Sequence, residues 1–147
     1  MLKSDSPGKR FTWLPVTTLA SGMELRIPVH VVTGSHPGPT LGITAGIHGD
    51  EYLPLAAVRE VVQQLDPGQL KGTVIALPVV NPLAIETQTR HTTTDMLNLN
   101  RVFPGDPNGW LTEQLAAVVC EQFLPEIEYL IDLHAGGAQP IVDYVYI

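Results

Sequence analysis

The sequence predicts an α/β fold in which a mixed, largely parallel sheet has helices on both faces. Continuous apolar runs, which are typical of buried strands, occur at residues 40–46, 73–80 and 129–133, and another begins at 142. Segments with apolar residues at helical spacing lie between the first and second runs and between the second and third. Strands that alternate with helices in this way usually form one sheet that is covered on both sides.

The N-terminal region differs from this alternating pattern. Residues 1–10 are mainly polar, so we expect a flexible tail there and a folded domain over residues 11–147. Between residues 11 and 33, two strand-like runs flank the turn signal Ser21-Gly22. The second run contains Pro28 and is expected to be an edge strand, because proline cannot donate a hydrogen bond to a neighbouring strand.

Two helices are predicted from the spacing of apolar residues and from their end signals. The first is expected over residues 50–65, and Asp66-Pro-Gly68 is expected to end it. The second is expected over about residues 109–124, with Asn108 as its N-cap. The apolar residues that define the first helix are Leu53, Ala56, Ala57, Val61 and Leu65.

The composition limits the classes of function. A chain of 147 residues with 44% hydrophobic residues can form one domain with a buried core. Its net charge of −7 argues against nucleic acid or a membrane as a partner, because both attract basic surfaces. No apolar run has the length of a membrane span and the N-terminus does not resemble a signal peptide, so a cytoplasmic protein is expected. The single cysteine, Cys120, cannot form an internal disulfide and is interpreted as a buried apolar residue.

Candidate metal ligands lie at the ends of two predicted strands. His48 and Glu51 follow the run that ends near Ala45, and His134 follows the run at 129–133. Sites in α/β folds usually lie just beyond the carboxyl ends of strands. Two histidines and one carboxylate, with a fourth position left open, are the ligands of a catalytic zinc. Each histidine alone is also compatible with a structural, hydrogen-bonded role, and the shared position at strand ends favours the metal.

A long polar connection between residues 81 and 106 follows the second buried strand. Connections of this length in compact domains usually have a function. This one contains Arg90, Asn100 and Arg101, and an arginine can bind a carboxylate through two hydrogen bonds. Either arginine alone could be a solvated loop charge. Their position beside the predicted metal ligands favours a role in binding.

Together these motifs resemble the succinylglutamate desuccinylase/aspartoacylase family, which is related to the zinc carboxypeptidases. The resemblance extends over about residues 40–137 and rests on the order and spacing of the motifs. It implies a zinc carboxypeptidase-like fold that is truncated in this chain. The matching residues are His48-Gly-Asp-Glu51, Asn81-Pro82, Arg90, Asn100-Arg101 with Phe103-Pro-Gly105, and Asp132-Leu-His134.

The resemblance also implies the activity of a zinc-dependent hydrolase of the deacylase type. Arg90 would polarise the scissile carbonyl group and stabilise the oxyanion, and Asn100 and Arg101 would bind a carboxylate of a small acyl-amino acid. Water bound to the metal would hydrolyse the amide bond of this substrate. The ligands of the one Zn²⁺ would be His48, Glu51 and His134.

Two positions differ from the family pattern. An aspartate that orients a zinc-binding histidine is usual where this chain has Asn98, whose oxygen accepts a hydrogen bond without adding charge. The general-base glutamate of the family lies well beyond the third ligand, and no glutamate follows His134 in this sequence. We therefore expect the N-terminal portion of a catalytic domain, without the general base. The alternatives are a metal- or carboxylate-binding fragment without catalysis and a purely structural α/β fragment.

Overall fold

The computed structural model describes residues 2–3, 6–137 and 145, so the strand expected from residue 142 lies outside the described residues. Within them, the five strands of one sheet are β1 (Gly8–Thr18), β2 (Glu24–Thr33), β3 (His36–Thr44), β4 (Lys71–Leu77) and β5 (Tyr129–Asp132). Their order in the sheet is β1-β2-β4-β3-β5. β2 is antiparallel to β1 and β4, whereas β3 is parallel to β4 and β5. The predicted mixed sheet is therefore confirmed.

The N-terminal hairpin differs from the expectation in two respects. β1 begins at Gly8, so residues 8–10 belong to the sheet and not to a flexible tail, because β2 extends to Thr33 and pairs with them. In addition, β2 lies between β1 and β4 and is not an edge strand. Pro28 is tolerated in this interior strand because β4 pairs only with residues His30–Thr33 of β2.

The α-helices of the described residues are α1 (Tyr52–Gln64), α2 (Pro82–Thr87) and α3 (Leu111–Val118). The chain continues after α3 in a π-helical turn at Val119–Phe123 and a 3₁₀ turn at Leu124–Glu126. The first predicted helix is present, but its buried face is not the predicted one. Pro54, Val58 and Val62 are buried, whereas Leu53 is 77% exposed.

The second predicted helix is also present, but Asn108 does not cap it. α3 begins after Trp110, whose backbone N–H donates to Glu113 Oε2 at 2.8 Å. Asp95 accepts hydrogen bonds from the backbone N–H and the hydroxyl of Thr112, at 2.8 and 2.7 Å. The first turn of the helix is therefore capped by a residue that is distant in sequence, which no local pattern around Asn108 could indicate.

Helices cover both faces of the sheet, as the sequence predicts. On one face, Val58 of α1 packs with apolar residues of β2, β3 and β4. On the other face, Leu115 of α3 and Phe123 pack with apolar residues of β2 and β4. No helix in the described part of the chain combines the length and apolarity needed to cross a bilayer.

The parallel strands bring three strand ends to one edge of the sheet. Thr44 of β3 pairs with Leu77 of β4 and with Asp132 of β5. Because these strands run in the same direction, the loops that follow them leave the sheet on the same side. The candidate ligands belong to these loops.

Candidate metal centre

His48 and Glu51 lie in the tight connection between β3 and α1. The connection includes Gly49, where an added Cβ atom would lie 1.8 Å from the carbonyl oxygen of Ala84, so only glycine fits this close approach. His48 is 1% exposed and Glu51 is 3% exposed. Nδ1 of His48 lies 2.9 Å from Oε1 of Glu51. The turn after β3 therefore holds two of the three predicted ligands together in a buried position.

His134 reaches the same point from the end of β5. Its Nδ1 lies 3.0 Å from Oε2 of Glu51, and its ring centroid lies 5.0 Å from that of His48. One ligand atom from each of the three residues lies within 4.8 Å of the others. The three side chains thus converge as the sequence predicts, although His134 is more open, with 30% of its side chain exposed.

In each imidazole, the nitrogen on the side away from Glu51, Nε2, is called the outer nitrogen, and it faces a hydrogen-bond acceptor. Nε2 of His48 lies 3.2 Å from Oδ1 of Asn98, and this oxygen also accepts the backbone N–H of Asn100 at 3.0 Å. Nε2 of His134 lies 2.9 Å from Oδ2 of Asp132. Each Nε2 therefore bears the hydrogen, and in a neutral ring the lone pair is on Nδ1, which faces Glu51.

The electrostatics of this arrangement favour a cation between the three groups. Burial lowers the pKa of His48 below its usual value, so its ring is neutral near pH 7 and directs a lone pair at Glu51. Burial raises the pKa of Glu51, but the backbone N–H of Ala135 and the interactions with the two histidines outweigh it and lower that pKa. An ionised carboxylate and an imidazole lone pair repel each other unless a cation lies between them. The residues present therefore fit a zinc ion.

The two histidines have opposite pKa shifts. The hydrogen bond to Asp132 raises the pKa of His134, and this effect is larger than that of burial. Asp132 is also hydrogen-bonded to the hydroxyl of Thr44, at 2.7 Å. Burial raises the pKa of Asp132, but its bonds to His134 and Thr44 bring it below the usual value. Asp132 is therefore ionised and holds the ring of His134 in a fixed orientation.

The long connection after β4 places its polar side chains in the same cleft. Arg90, Asn100 and Arg101 line a cavity of about 1070 Å³ together with all three candidate ligands. Nη1 of Arg90 donates to Oε1 of Glu51 at 3.1 Å, and Nη1 of Arg101 donates to the backbone carbonyl of Asn100 at 2.8 Å. The structure thus brings all six predicted site residues to one cleft. Arg90 lies against the ligand set, whereas Arg101 does not contact it.

The structure also identifies residues to which the sequence analysis gave no role. Asn81 and Thr92 are fully buried, and the amide of Asn81 donates to the hydroxyl of Thr92 at 2.9 Å. The side chain of Asn81 also accepts the backbone N–H of Ala84 at 3.1 Å, which caps α2. These bonds hold the long connection that follows β4 close to the end of that strand. An Asn-Pro pair directly after a buried strand was a usable signal, because it is typical of a helix start.

Asp50 is a second residue without an assigned role. It lies between two candidate ligands in sequence and lines the same cleft. Its Oδ1 is buried and has no hydrogen-bond partner in the described part of the chain. In the sequence, only its position within the His-x-x-Glu segment indicated that Asp50 would lie in this cleft.

Comparisons with known proteins support the resemblance found in the sequence. Residues 37–143 match the succinylglutamate desuccinylase/aspartoacylase catalytic domain. The chain is 36% identical, over 136 residues, to N-alpha-acetyl-L-2,4-diaminobutyric acid deacetylase of Halomonas elongata, and the match covers 92% of this chain and 40% of that protein.

Solved structures give the same result. An aspartoacylase family protein from Mesorhizobium loti has a TM-score of 0.81 and 37% identity, over 89% of this chain and 41% of its own. A succinylglutamate desuccinylase/aspartoacylase from Rhodobacter sphaeroides has a TM-score of 0.84 and 33% identity, over 93% of this chain and 43% of its own. The chain thus spans less than half the length of each of these relatives.

Proposed function

Since the chain belongs to the succinylglutamate desuccinylase/aspartoacylase family, we propose that it forms the metal-binding part of a zinc-dependent deacylase that hydrolyses small acyl-amino acids. The main support is the convergence of His48, Glu51 and His134 with both outer histidine nitrogens held by oxygen acceptors. This is the arrangement in which imidazoles bind a metal through their remaining nitrogen. A relative of known substrate acts on an N-acetylated amino acid, which supports the same substrate class here.

In this proposal, Nδ1 of each histidine and the carboxylate of Glu51 hold the ion. When bound there, zinc lowers the pKa of a water molecule to about 7 and polarises a carbonyl group. Asn98 and Asp132 keep the two rings in the orientation that directs Nδ1 at the ion. The buried position of the carboxylate strengthens its electrostatic interaction with a cation, because little water screens it.

Arg90 and Arg101 have separate functions in the proposal. Arg90 is bound to Glu51 and lies beside the reacting carbonyl group, where its charge stabilises the oxyanion. Arg101 lies in the same cleft without contact to the ligand set. Its guanidinium group and the amide of Asn100 bind the substrate carboxylate, which aligns the amide bond with the metal.

General-base help would have to come from a carboxylate of the cleft. Of the described carboxylates there, Glu51 belongs to the ligand set, Asp132 is bound to His134 and Thr44, and Asp50 has a buried Oδ1 without a hydrogen-bond partner among the described residues. Loss of general acid–base catalysis reduces rates by about 10²–10⁴. We therefore expect residues 1–147 alone to bind zinc and to hydrolyse substrate slowly.

Two measurements test the proposal. In the first, zinc-free chain is titrated with zinc against a chromophoric chelator, and one equivalent is expected to bind. In the second, hydrolysis of N-acetyl-2,4-diaminobutyrate, N-acetylaspartate and N-succinylglutamate is followed with and without zinc, for this chain and for any longer form. We expect zinc-dependent turnover that is well below about 1 per second for this chain. Absence of zinc binding would overturn the metal site, and turnover of about 1–10³ per second would place the general base within these residues.

A further inference from the structure

A second cleft lies between the β1–β2 hairpin and the second half of α1. It has a volume of about 650 Å³ and shares no lining residue with the cleft that contains the metal ligands. Its chemistry differs from that of the rest of the chain. The side chains that determine this chemistry are Lys9, Phe11, His30 and Arg59.

The cleft concentrates positive charge in an acidic protein. The chain has 15 acidic and 8 basic residues, and the side chains of two basic residues, Lys9 and Arg59, project into this one cleft. No carboxylate is among the described residues that line it. A local positive potential of this kind attracts anions against the negative charge of the molecule as a whole.

One of the two cations is held in position by a backbone carbonyl group. Nζ of Lys9 donates to the carbonyl oxygen of Gln63 at 2.7 Å, near the C-terminal end of α1. An ammonium group has three donors, so it retains N–H groups for a ligand. Lys9 is thus partly ordered before a ligand binds, which lowers the entropic cost of binding.

Aromatic side chains lie beside these charges. Phe11 of β1 pairs with His30 of β2, so both side chains project from the same face of the hairpin, and their ring centroids are 5.0 Å apart. Trp13 lies edge-on to Phe11 at the same centroid distance of 5.0 Å. Phe11 is 49% exposed although a phenylalanine side chain gains about 1.5–3 kcal/mol from full burial. An exposed ring next to cations can bind the flat apolar part of a ligand.

We propose that this cleft binds a small molecule with an aromatic ring and an anionic group, either phosphate or carboxylate. The ring packs on Phe11 and His30, and the anion lies against Arg59 and Lys9. Arg59 comes from α1 and Phe11 from β1, so the ligand bridges the helix and the hairpin. The site is independent of the proposed deacylase function, because the two clefts have no lining residue in common.

The test uses zinc-free protein, so that anions do not bind a metal ion. Trp110 is replaced by phenylalanine, which leaves Trp13 as the only tryptophan and a reporter next to the cleft. Fluorescence is titrated with phenyl phosphate, benzoate, cyclohexyl phosphate and inorganic phosphate. We expect saturable binding of phenyl phosphate or benzoate, and the stronger of these two identifies the anion. Cyclohexyl phosphate and inorganic phosphate are expected to bind more weakly.

Three variants locate the binding. Arg59→Gln should weaken it by about tenfold or more, because one charge-assisted hydrogen bond is lost. Phe11→Leu should remove the preference for the phenyl over the cyclohexyl compound. Lys71→Gln removes an exposed charge that does not line the cleft and should leave binding unchanged. Absence of saturation, or equal binding by Arg59→Gln, would overturn the site. Equal binding of the phenyl and cyclohexyl compounds would overturn the role of the aromatic ring.

Discussion

The two histidines of the candidate metal centre are held by different kinds of partner. His48 is 1% exposed, and the amide oxygen of Asn98 accepts its hydrogen bond. The side chain of His134 is 30% exposed, and the carboxylate of Asp132, itself 35% exposed, accepts its hydrogen bond. The buried histidine therefore has a neutral partner and the partly solvated histidine has a charged one.

Desolvation explains this difference. A carboxylate at position 98 would be a second negative charge near Glu51, at a half-buried position next to the fully buried ring of His48, and partial burial of an incompletely paired charge is costly. The amide of Asn98 orients the ring without that cost. Near His134, water solvates part of Asp132, so the charge is tolerated there. Asparagine at position 98, where the family pattern has aspartate, therefore preserves the orientation of His48 but makes this ring less basic than an aspartate would.

The strands that precede the two histidines also differ in how deeply they are buried. His48 follows β3, which has β4 and β5 on its two sides and lies under α1. His134 follows β5, which is an edge of the sheet in the described part of the chain and has all four residues exposed. Loss of His48 should therefore disturb the fold, whereas loss of His134 should disturb mainly the metal.

The largest expected effect is the loss of zinc when either histidine is replaced by alanine. Removal of an outer hydrogen-bond partner alone reduces metal affinity by about 10–100-fold, so loss of a direct ligand should reduce it by more than about 100-fold. In the zinc-free state, His48→Ala should also lower the free energy of unfolding by about 1–3 kcal/mol, because a buried side chain leaves a cavity. His134→Ala should lower it by less than about 1 kcal/mol.

Chelator competition measures the affinities and urea denaturation measures the stabilities. His91→Ala is the matched control, since His91 is exposed and does not line the cleft. Equal losses of stability in the His48 and His134 variants would show that the two sides of the centre are supported alike.

The sequence was sufficient to predict that the three candidate ligands converge, because they follow strand ends. Buried parallel strands can be recognised from short apolar runs, and the loops after them meet at one edge. That reasoning brought His48, Glu51 and His134 together without any knowledge of pairing order. It also placed Arg90 and Arg101 in the cleft, because their connection leaves the neighbouring strand β4 at the same edge.

The features that could not be predicted depend on contacts between distant residues. Asp95 caps α3 because the preceding connection folds back on the helix, and this made the local signal at Asn108 misleading. The buried face of α1 depends on how the helix lies on the sheet, so spacing alone selected Leu53 in place of Pro54. Pro28 is accepted within an interior strand only because β4 is short.

The next largest effect concerns the two arginines of the cleft. Arg90 is hydrogen-bonded to the candidate ligand Glu51, whereas Arg101 is hydrogen-bonded to the backbone carbonyl of Asn100. In a form of the protein that turns over, Arg101→Ala should cost about 2–4 kcal/mol of substrate binding, mainly as a higher KM, because a carboxylate loses its partner. Arg90→Ala should lower kcat more than it raises KM, since it acts on the oxyanion. Steady-state kinetics separate the two. An unchanged KM in Arg101→Ala would exclude it from substrate binding.

A smaller effect is expected when the acid Asp132 is replaced by its amide or the amide Asn98 by its acid. Asp132→Asn should weaken zinc binding by about 10–100-fold, because His134 loses the charge that raises its basicity. Asn98→Asp should strengthen zinc binding by at most about tenfold, and it should lower the stability of the zinc-free chain, because it places a second, half-buried carboxylate near Glu51. Chelator competition and denaturation measure both quantities. Stronger zinc binding without any loss of stability would refute the desolvation argument for Asn98.

The smallest effect concerns the protonation of the two rings in the zinc-free chain. The hydrogen bond to Asp132 raises the pKa of His134 above the usual value of about 6.5, whereas burial lowers that of His48 below it. The stabilisation that protonated His134 contributes is complete below about pH 6.5 and is lost as pH rises through its raised pKa. The contribution of neutral His48 has the opposite sign, because it is present above about pH 6.5 and is lost as pH falls through its lowered pKa.

NMR titration of the imidazole resonances should therefore find His134 protonated at a pH where His48 is neutral. Asp132→Asn should lower the pKa of His134 more than that of His48, since only His134 is hydrogen-bonded to it. If His48 titrates above His134, neither burial of His48 nor the charge of Asp132 determines the protonation of this centre, and the contrast between Asn98 and Asp132 has no electrostatic basis.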